Sequence, residues 1–150
     1  MDMVEKRISG ELIYDGIIVH LYKDDVLLPD GKKAVREVIR HQGAVCVVAL
    51  DKDNNIYLVR QYRYPFSSVI TEIPAGKLDA GESPLQGAIR ELREETGIVA
   101  GKYDYLGPLY TSPAIIDEVI HMYLATDLSF DEKGHPSFVF HMKEENYLFI

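Results

Sequence analysis

The chain has a single cysteine, Cys46, so no intrachain disulfide and no thiolate metal cluster can form within it. Its position inside an apolar run marks it as a small core residue. Long hydrophobic runs are also missing. The longest apolar stretch, from Gly43 to Leu50, falls far short of the ~20 residues of a bilayer-spanning helix. Basic charge is scarce, with 16 Lys and Arg against 24 Asp and Glu and a formal net charge of −8. That balance speaks against a duplex-binding surface, which needs cations facing phosphates. The start, Met-Asp-Met-Val-Glu-Lys-Arg, has neither the apolar core nor the small-residue cleavage site of a signal peptide. The expectations are therefore a cytoplasmic setting, no membrane and no nucleic-acid partner. A length of 150 residues suits one compact domain. An acidic chain still binds phosphorylated ligands where divalent cations stand between the charges, so the placement of the carboxylates decides the matter.

What is present reads first as strands. Ile17 to Tyr22, Val26 to Leu28 and Ala34 to Arg40 predict an antiparallel sheet, with Pro29-Asp30-Gly31 as a hairpin turn. Gly43 to Leu50 reads as a buried central strand that Asp51 to Asn55 turns back into Ile56 to Arg60. Further strands are expected at Tyr103 to Tyr110, Val119 to Ala125 and Phe138 to Phe140. One helix stands out. Ser83 is an N-cap, Pro84 suits the first helical position, Gln86 completes a capping box, and Gly97 closes the helix as a left-handed cap. Leu85, Ala88, Ile89 and Leu92 form one stripe, predicted to pack on the sheet. Strands with few helices read as α+β or a three-layer sandwich.

The acids on this helix carry the chemistry. Glu91, Glu94 and Glu95 stand at i, i+3 and i+4, so their carboxylates converge near the helix carboxy terminus. Like charges at that spacing repel by about 0.2–0.5 kcal/mol per pair. Acids there also oppose the macrodipole by about 0.3–1 kcal/mol each. Arg90 and Arg93 offset part of this, and a hard cation such as Mg²⁺ would offset the rest. Taken alone, such a trio reads as a solvated charged face. Upstream, however, Pro74 to Glu82 is a loop whose glycines let backbone carbonyls approach a ligand. Between Glu72 and Glu95 six acids face three bases, so most of the net negative charge lies elsewhere and serves solubility.

Gly76, five residues, Glu82, seven residues, then Arg90-Glu91-Leu92-Arg93-Glu94-Glu95-Thr96-Gly97-Ile98 fill every fixed position of a 23-residue signature, and the chain resembles the Nudix hydrolase family. Val59-Arg60-Gln61-Tyr62-Arg63-Tyr64-Pro65, Glu72 to Leu78, and Tyr110-Thr111-Ser112-Pro113 followed by Asp117-Glu118 and His121 are similar to its ADP-ribose pyrophosphatase branch. Pro113 falls 15 residues after Ile98, where that branch carries a proline; Ala114 departs from its usual glycine. The similarity spans roughly residues 10 to 128.

The resemblance implies a Nudix-like α/β/α sandwich over residues 43–150, shortened at its end. An antiparallel sheet over residues 1–42 precedes it and serves as the dimerisation element of a homodimer. It implies hydrolysis of the pyrophosphate of ADP-ribose, or of a related nucleoside diphosphate sugar, to AMP and a sugar phosphate with Mg²⁺ or Mn²⁺. Alternatives are another nucleoside diphosphate derivative such as GDP-mannose or flavin dinucleotide, and a nucleotide-binding domain with little turnover. Carried over to matching positions, Glu91, Glu95 and the Ala75 carbonyl are metal ligands, and Glu94 ligates or holds a metal-bound water. Arg90 orients a glutamate, and Glu82 joins the metal shell or braces the loop. Arg63 and Glu72 contact substrate, and Pro113 walls the site. Asp117-Glu118 lines the pocket or caps the next strand. His121 reads as a satisfied core histidine. Glu132, or alternatively Glu144 or Glu145, is the candidate general base.

Overall fold

The structure is a computed structural model that describes residues 3–131 and the backbone of a strand at 140–142. The chain divides into two compact units: Met1–Gln42 with Tyr110–Val119, and Gly43–Leu109 with Ile120–Ile150. Among the described residues there is one α-helix.

The first unit is built on a three-stranded antiparallel sheet in the order β1 (Lys6–Asp15), β2 (His20–Leu27), β3 (Lys33–Arg40). The predicted hairpin at Pro29-Asp30-Gly31 forms, with Gly31 at φ 83° and its N–H donating to the Leu28 carbonyl at 2.9 Å. Positive φ is the conformation that glycine adopts without steric cost. Two expectations need correction. Ile17, Ile18 and Val19 do not open a strand; they form the exposed connection between β1 and β2, closed by the Gly16 N–H on the Val19 carbonyl at 2.9 Å. Lys23-Asp24-Asp25 does not interrupt a strand either, because β2 runs straight through it. Asp24 is buried there between the guanidinium groups of Arg7 and Arg40, so charge pairing replaces the water that a turn would have supplied.

The second unit centres on β4 (Ala44–Leu50), the apolar run that contains Cys46. Burial pushes the Cys46 thiol up from its ordinary value, as expected for an inert core residue. A seven-stranded sheet runs in the order β10 (Phe140–Met142), β5 (Ile56–Arg63), β4, β9 (Val119–Phe130), β8 (Ile98–Tyr110); β6 (Ser68–Glu72) pairs with β5 and β7 (Ala75–Lys77) with β4. β4 runs parallel to β9 from Ala44↔Ile120 to Ala49↔Ala125. Along its other edge β4 changes partner. Leu50 and Ala49 pair with β5, while Ala44 to Cys46 pair with β7. β5 therefore leaves β4 after two pairs and continues against β6, and β7 takes the vacated part of the β4 edge. The core of this unit comprises Val45, Val47, Ala49, Tyr57, Leu78, Ala88, Leu92, Ile98, Tyr123 and Ala125.

The helix α1 (Pro84–Thr96) packs against β4 and β7. Both halves of the predicted capping box are present, and Gly97 at φ 70° ends the helix with its N–H on the Arg93 carbonyl. The buried face is rotated from the expected stripe: Gly87, Ala88, Leu92 and Thr96 are buried, whereas Leu85 and Ile89 are each 43% exposed. Close approach to the Leu78 loop favours small side chains over bulky ones. A Cβ on Gly87 would lie 2.7 Å from Leu78 Cδ2.

Candidate active site

Arg90, on the second turn of α1, ties the loop before the helix to the acids on it. Its Nε donates to Glu82 Oε1 at 2.8 Å and its Nη2 to Glu82 Oε2 at 2.8 Å, a bidentate pair. Nη2 also donates to the Lys77 carbonyl at 3.1 Å, and Nη1 to Glu91 at 2.6 Å and to Glu94 at 3.3 Å. Glu82 Oε2 additionally accepts from the Asp79 N–H at 3.0 Å. Arg90 and that N–H hold the Glu82 carboxyl down at about 2, and the two glutamates hold the guanidinium above its ordinary value. These bonds tie Glu82 to the loop and to the helix.

Glu91 and Glu95, one turn apart, face β7. Glu95 Oε2 accepts from the Ala75 N–H at 3.0 Å and Oε1 accepts from Gln61 Nε2 at 2.7 Å. Burial raises the Glu95 carboxyl above its usual range and the charge of Glu91 adds to the rise, against the lowering effects of the Ala75 N–H, Gln61 and Arg63. Glu91 lies directly over Gly76, where a Cβ would fall inside its carboxylate. That glycine is required by close approach. Glu94 points outward, 61% exposed. Among the described residues no three Asp, Glu, His or Cys side chains converge as a metal-binding group. The donor set is two neighbouring carboxylates beside backbone. It fits a hard cation of the Mg²⁺ kind, which takes one or two carboxylates and completes its shell with waters and substrate phosphates.

On β5, Gln61 and Arg63 are two residues apart and share a face. The register Val59↔Glu72 puts Glu72 of β6 on that same face. Arg63 Nε donates to the Glu72 oxygens at 2.9 and 3.1 Å and Nη2 to Oε2 at 2.5 Å, which raises the guanidinium above its ordinary value. Arg63 also feels the charge of Glu95. The second unit thus brings Arg63, Glu72, Ala75, Arg90, Glu91 and Glu95 into one connected set, with Glu94 at its edge. Gln61 belongs to this set and was missed from the sequence. Its signal was the period-two alternation through Val59, Gln61 and Arg63. Pro113 is exposed on the Tyr110–Val119 segment of the first unit. His121 Nδ1 is 3.1 Å from the Tyr105 hydroxyl. Glu132, Glu144 and Glu145 lie outside the described residues.

This arrangement of helix, loop and sheet, with a match to the NUDIX domain over residues 40–145, defines the class: the chain belongs to the Nudix family. A divalent metal ion is the general cofactor of that family. Residues 5–39 match the nucleoside diphosphate sugar hydrolase N-terminal domain. More particularly, the chain is 47% identical over 125 residues to an ADP-ribose pyrophosphatase of Bacillus subtilis (strain 168), covering 83% of this chain and 68% of that protein. It is 48% identical over 130 residues to a methanol dehydrogenase activator of Bacillus methanolicus, covering 87% and 70%. An ADP-ribose pyrophosphatase of Mycobacterium tuberculosis (strain ATCC 25618 / H37Rv) is 45% identical over 132 residues, covering 87% of this chain and 63% of that protein. The crystal structure of an ADP compounds hydrolase shares the fold with a TM-score of 0.78 at 24% identity, covering 92% of this chain and 76% of that one. No described helix is long and apolar enough to cross a membrane.

Proposed function

We propose that the chain hydrolyses the pyrophosphate of ADP-ribose, or of a related ADP-sugar, to AMP and a sugar phosphate, with Mg²⁺ as its metal and Mn²⁺ as a substitute. The observation that carries this reading is the pair Glu91 and Glu95 set against the Ala75-Gly76 backbone, with Arg63 within the electrostatic reach of Glu95. Two relatives named ADP-ribose pyrophosphatase, 47% and 45% identical, support the substrate class.

In this reading Glu91, Glu95 and the Ala75 carbonyl hold the metal, and Glu94 ligates it or holds one of its waters. A divalent ion held there would screen the carboxylates from the pyrophosphate and would supply the polarisation of phosphorus and the acidification of a water. Arg90 fixes the Glu91 carboxylate by a charge-assisted hydrogen bond and keeps Glu82 from drifting toward the metal. Arg63 exchanges Glu72 for a substrate phosphate, to which its planar fork is matched, and Glu72 then accepts from the nucleotide. Pro113 is the remaining substrate contact, and Glu132 is the general base. The reading extends to a cytoplasmic homodimer; exposed apolar residues of β1 (Ile8, Leu12, Ile13 and Tyr14) support the dimer.

The test is incubation of the purified chain with ADP-ribose and Mg²⁺ and chromatographic resolution of AMP. AMP is expected with Mg²⁺ and not with a chelator. Glu91→Gln is expected to lower kcat/KM by about 100-fold or more, the several kcal/mol of charge stabilisation that a metal supplies. Wild type without AMP and indistinguishable from Glu91→Gln overturns the reading. Preference for GDP-mannose or flavin dinucleotide moves the substrate, and tight ADP-ribose binding without cleavage makes the chain a binding domain.

A further inference from the structure

The end of β3 does more than finish a sheet. The Ile39 N–H donates to the Ile115 carbonyl at 2.8 Å, the Asp117 N–H donates to the Ile39 carbonyl at 3.2 Å, and Ile39 and Ile116 form an isolated parallel bridge. The His41 N–H donates to Asp117 Oδ1 at 2.7 Å. His41 Nδ1 lies 3.6 Å from Glu118 Oε1, and the Thr111 hydroxyl donates to Glu118 Oε2 at 2.7 Å, closing the two ends of the segment on each other. Residues 110–119 are thus fastened to the N-terminal sheet and form one compact unit with it.

Arg40 is the side chain common to both parts. Nη2 donates to Asp24 Oδ2 at 2.7 Å and Nη1 to Asp117 Oδ2 at 3.2 Å, while the guanidinium lies over the Tyr22 ring, 5.9 Å from its centroid. The Asp24 side chain is only 4% exposed and faces Arg7 Nε at 3.0 Å on its other oxygen. A carboxylate so buried holds its cations firmly, because their departure would leave an unpaired charge in a poorly solvated place. Room for it comes from Gly10, where a Cβ would run into Asp24 and Arg7. Asp24 and Tyr22 therefore pin the guanidinium from below and leave its remaining arm aimed at Asp117.

We propose that Arg40 is a positioning residue: by joining the buried Asp24 to Asp117 it holds the Tyr110–Val119 segment, which carries Pro113, in the shape that receives substrate. The N-terminal sheet is then a scaffold for a substrate-contacting segment. This rests on the reading of Pro113 as a substrate contact, and its test separates the two.

The variants are Asp117→Ala, at a half-exposed position, and Asp117→Asn, whose single amide oxygen can accept from Arg40 or from the His41 N–H but not from both; Arg40→Met is the companion. Three quantities are read on the full chain: amide hydrogen exchange at Ile39 and at position 117, calorimetric affinity for ADP-ribose in chelator, and kcat and KM with Mg²⁺. With Asp117→Ala and Arg40→Met, exchange is expected to accelerate. If the correct segment shape then falls to about a tenth of the population, affinity drops and KM rises about tenfold. kcat stays within about twofold, the signature of lost uniform binding. Asp117→Asn, which keeps one of the two bonds, is expected to fall between wild type and Asp117→Ala in affinity. Unchanged exchange in Asp117→Ala and Arg40→Met overturns the tether. Faster exchange with unchanged ADP-ribose affinity overturns the link between this segment and substrate. Calorimetry decides this even for a chain that turns nothing over.

Discussion

Arg90 and Glu82 meet fork to fork across eight residues of sequence, with both hydrogen bonds at 2.8 Å, and this pair closes the loop Leu78 to Glu82 onto the first turns of the helix. The same guanidinium turns its other nitrogen to Glu91 at 2.6 Å. One cation thus shapes the loop and aims the Glu91 carboxylate.

The Glu82 carboxyl, held at about 2, ties stability to pH. Its folded pKa lies below its unfolded value, so its contribution is fully present above about pH 4.5 and is lost as pH falls toward 2. Replacing Glu82 by Gln is expected to lower the thermal midpoint at pH 7, and the difference from wild type should narrow between pH 5 and pH 3. Thermal melts across that range measure it. A difference that stays constant with pH would show that the ionised carboxylate is not what Arg90 recognises.

Gly76 leaves no room for a methyl group beneath Glu91. Gly76→Ala is expected to displace that carboxylate, weakening Mg²⁺ binding and activity together, at an overpacking cost of about 1–3 kcal/mol in stability. Calorimetric titration with Mg²⁺ alongside urea unfolding checks both. Undiminished Mg²⁺ binding would mean that Glu91 does not need its present approach to β7.

Gln61 holds one oxygen of Glu95 at 2.7 Å while the Ala75 N–H holds the other at 3.0 Å. Gln61→Leu keeps the volume and removes the donor. Partners that orient a ligating group typically account for about 10–100-fold in metal affinity, and a loss of that size is expected here. The fold should be retained, as judged by an unchanged circular dichroism spectrum. Wild-type metal affinity in Gln61→Leu would leave the Ala75 N–H as the sole restraint on Glu95.

Much of the site was legible before any coordinates. A helix with a capping box and a left-handed glycine cap announces its own ends, because those signals act through hydrogen bonds within a few residues. The acids spaced along it then share a side by helical geometry alone. The apolar stripe was less informative. Leu85 and Ile89 satisfy the periodicity as well as Ala88 and Leu92 do, yet they stay exposed because the helix lies close enough to Leu78 that small side chains make the contact. Asp24 misled in the opposite direction: a polar pair inside a strand reads as a turn unless the cations that bury it, Arg7 from β1 and Arg40 from β3, are known.

The chain alone determined the helix and the spacing of Gly76, Glu82, Arg90, Glu91, Glu94 and Glu95, since these depend on neighbours within one signature; Ala75–Lys77, read as loop, is the strand β7 because β4 offers it an edge. Only the tertiary structure decided that Glu91 rests on Gly76, that Gln61 reaches Glu95, that Arg63 pairs with Glu72, and that Asp117 is fastened to Arg40. Those contacts depend on strand register and on where β5 leaves β4. Register is set by the sum of many distant pairings, and that sum is not written in any short stretch of residues.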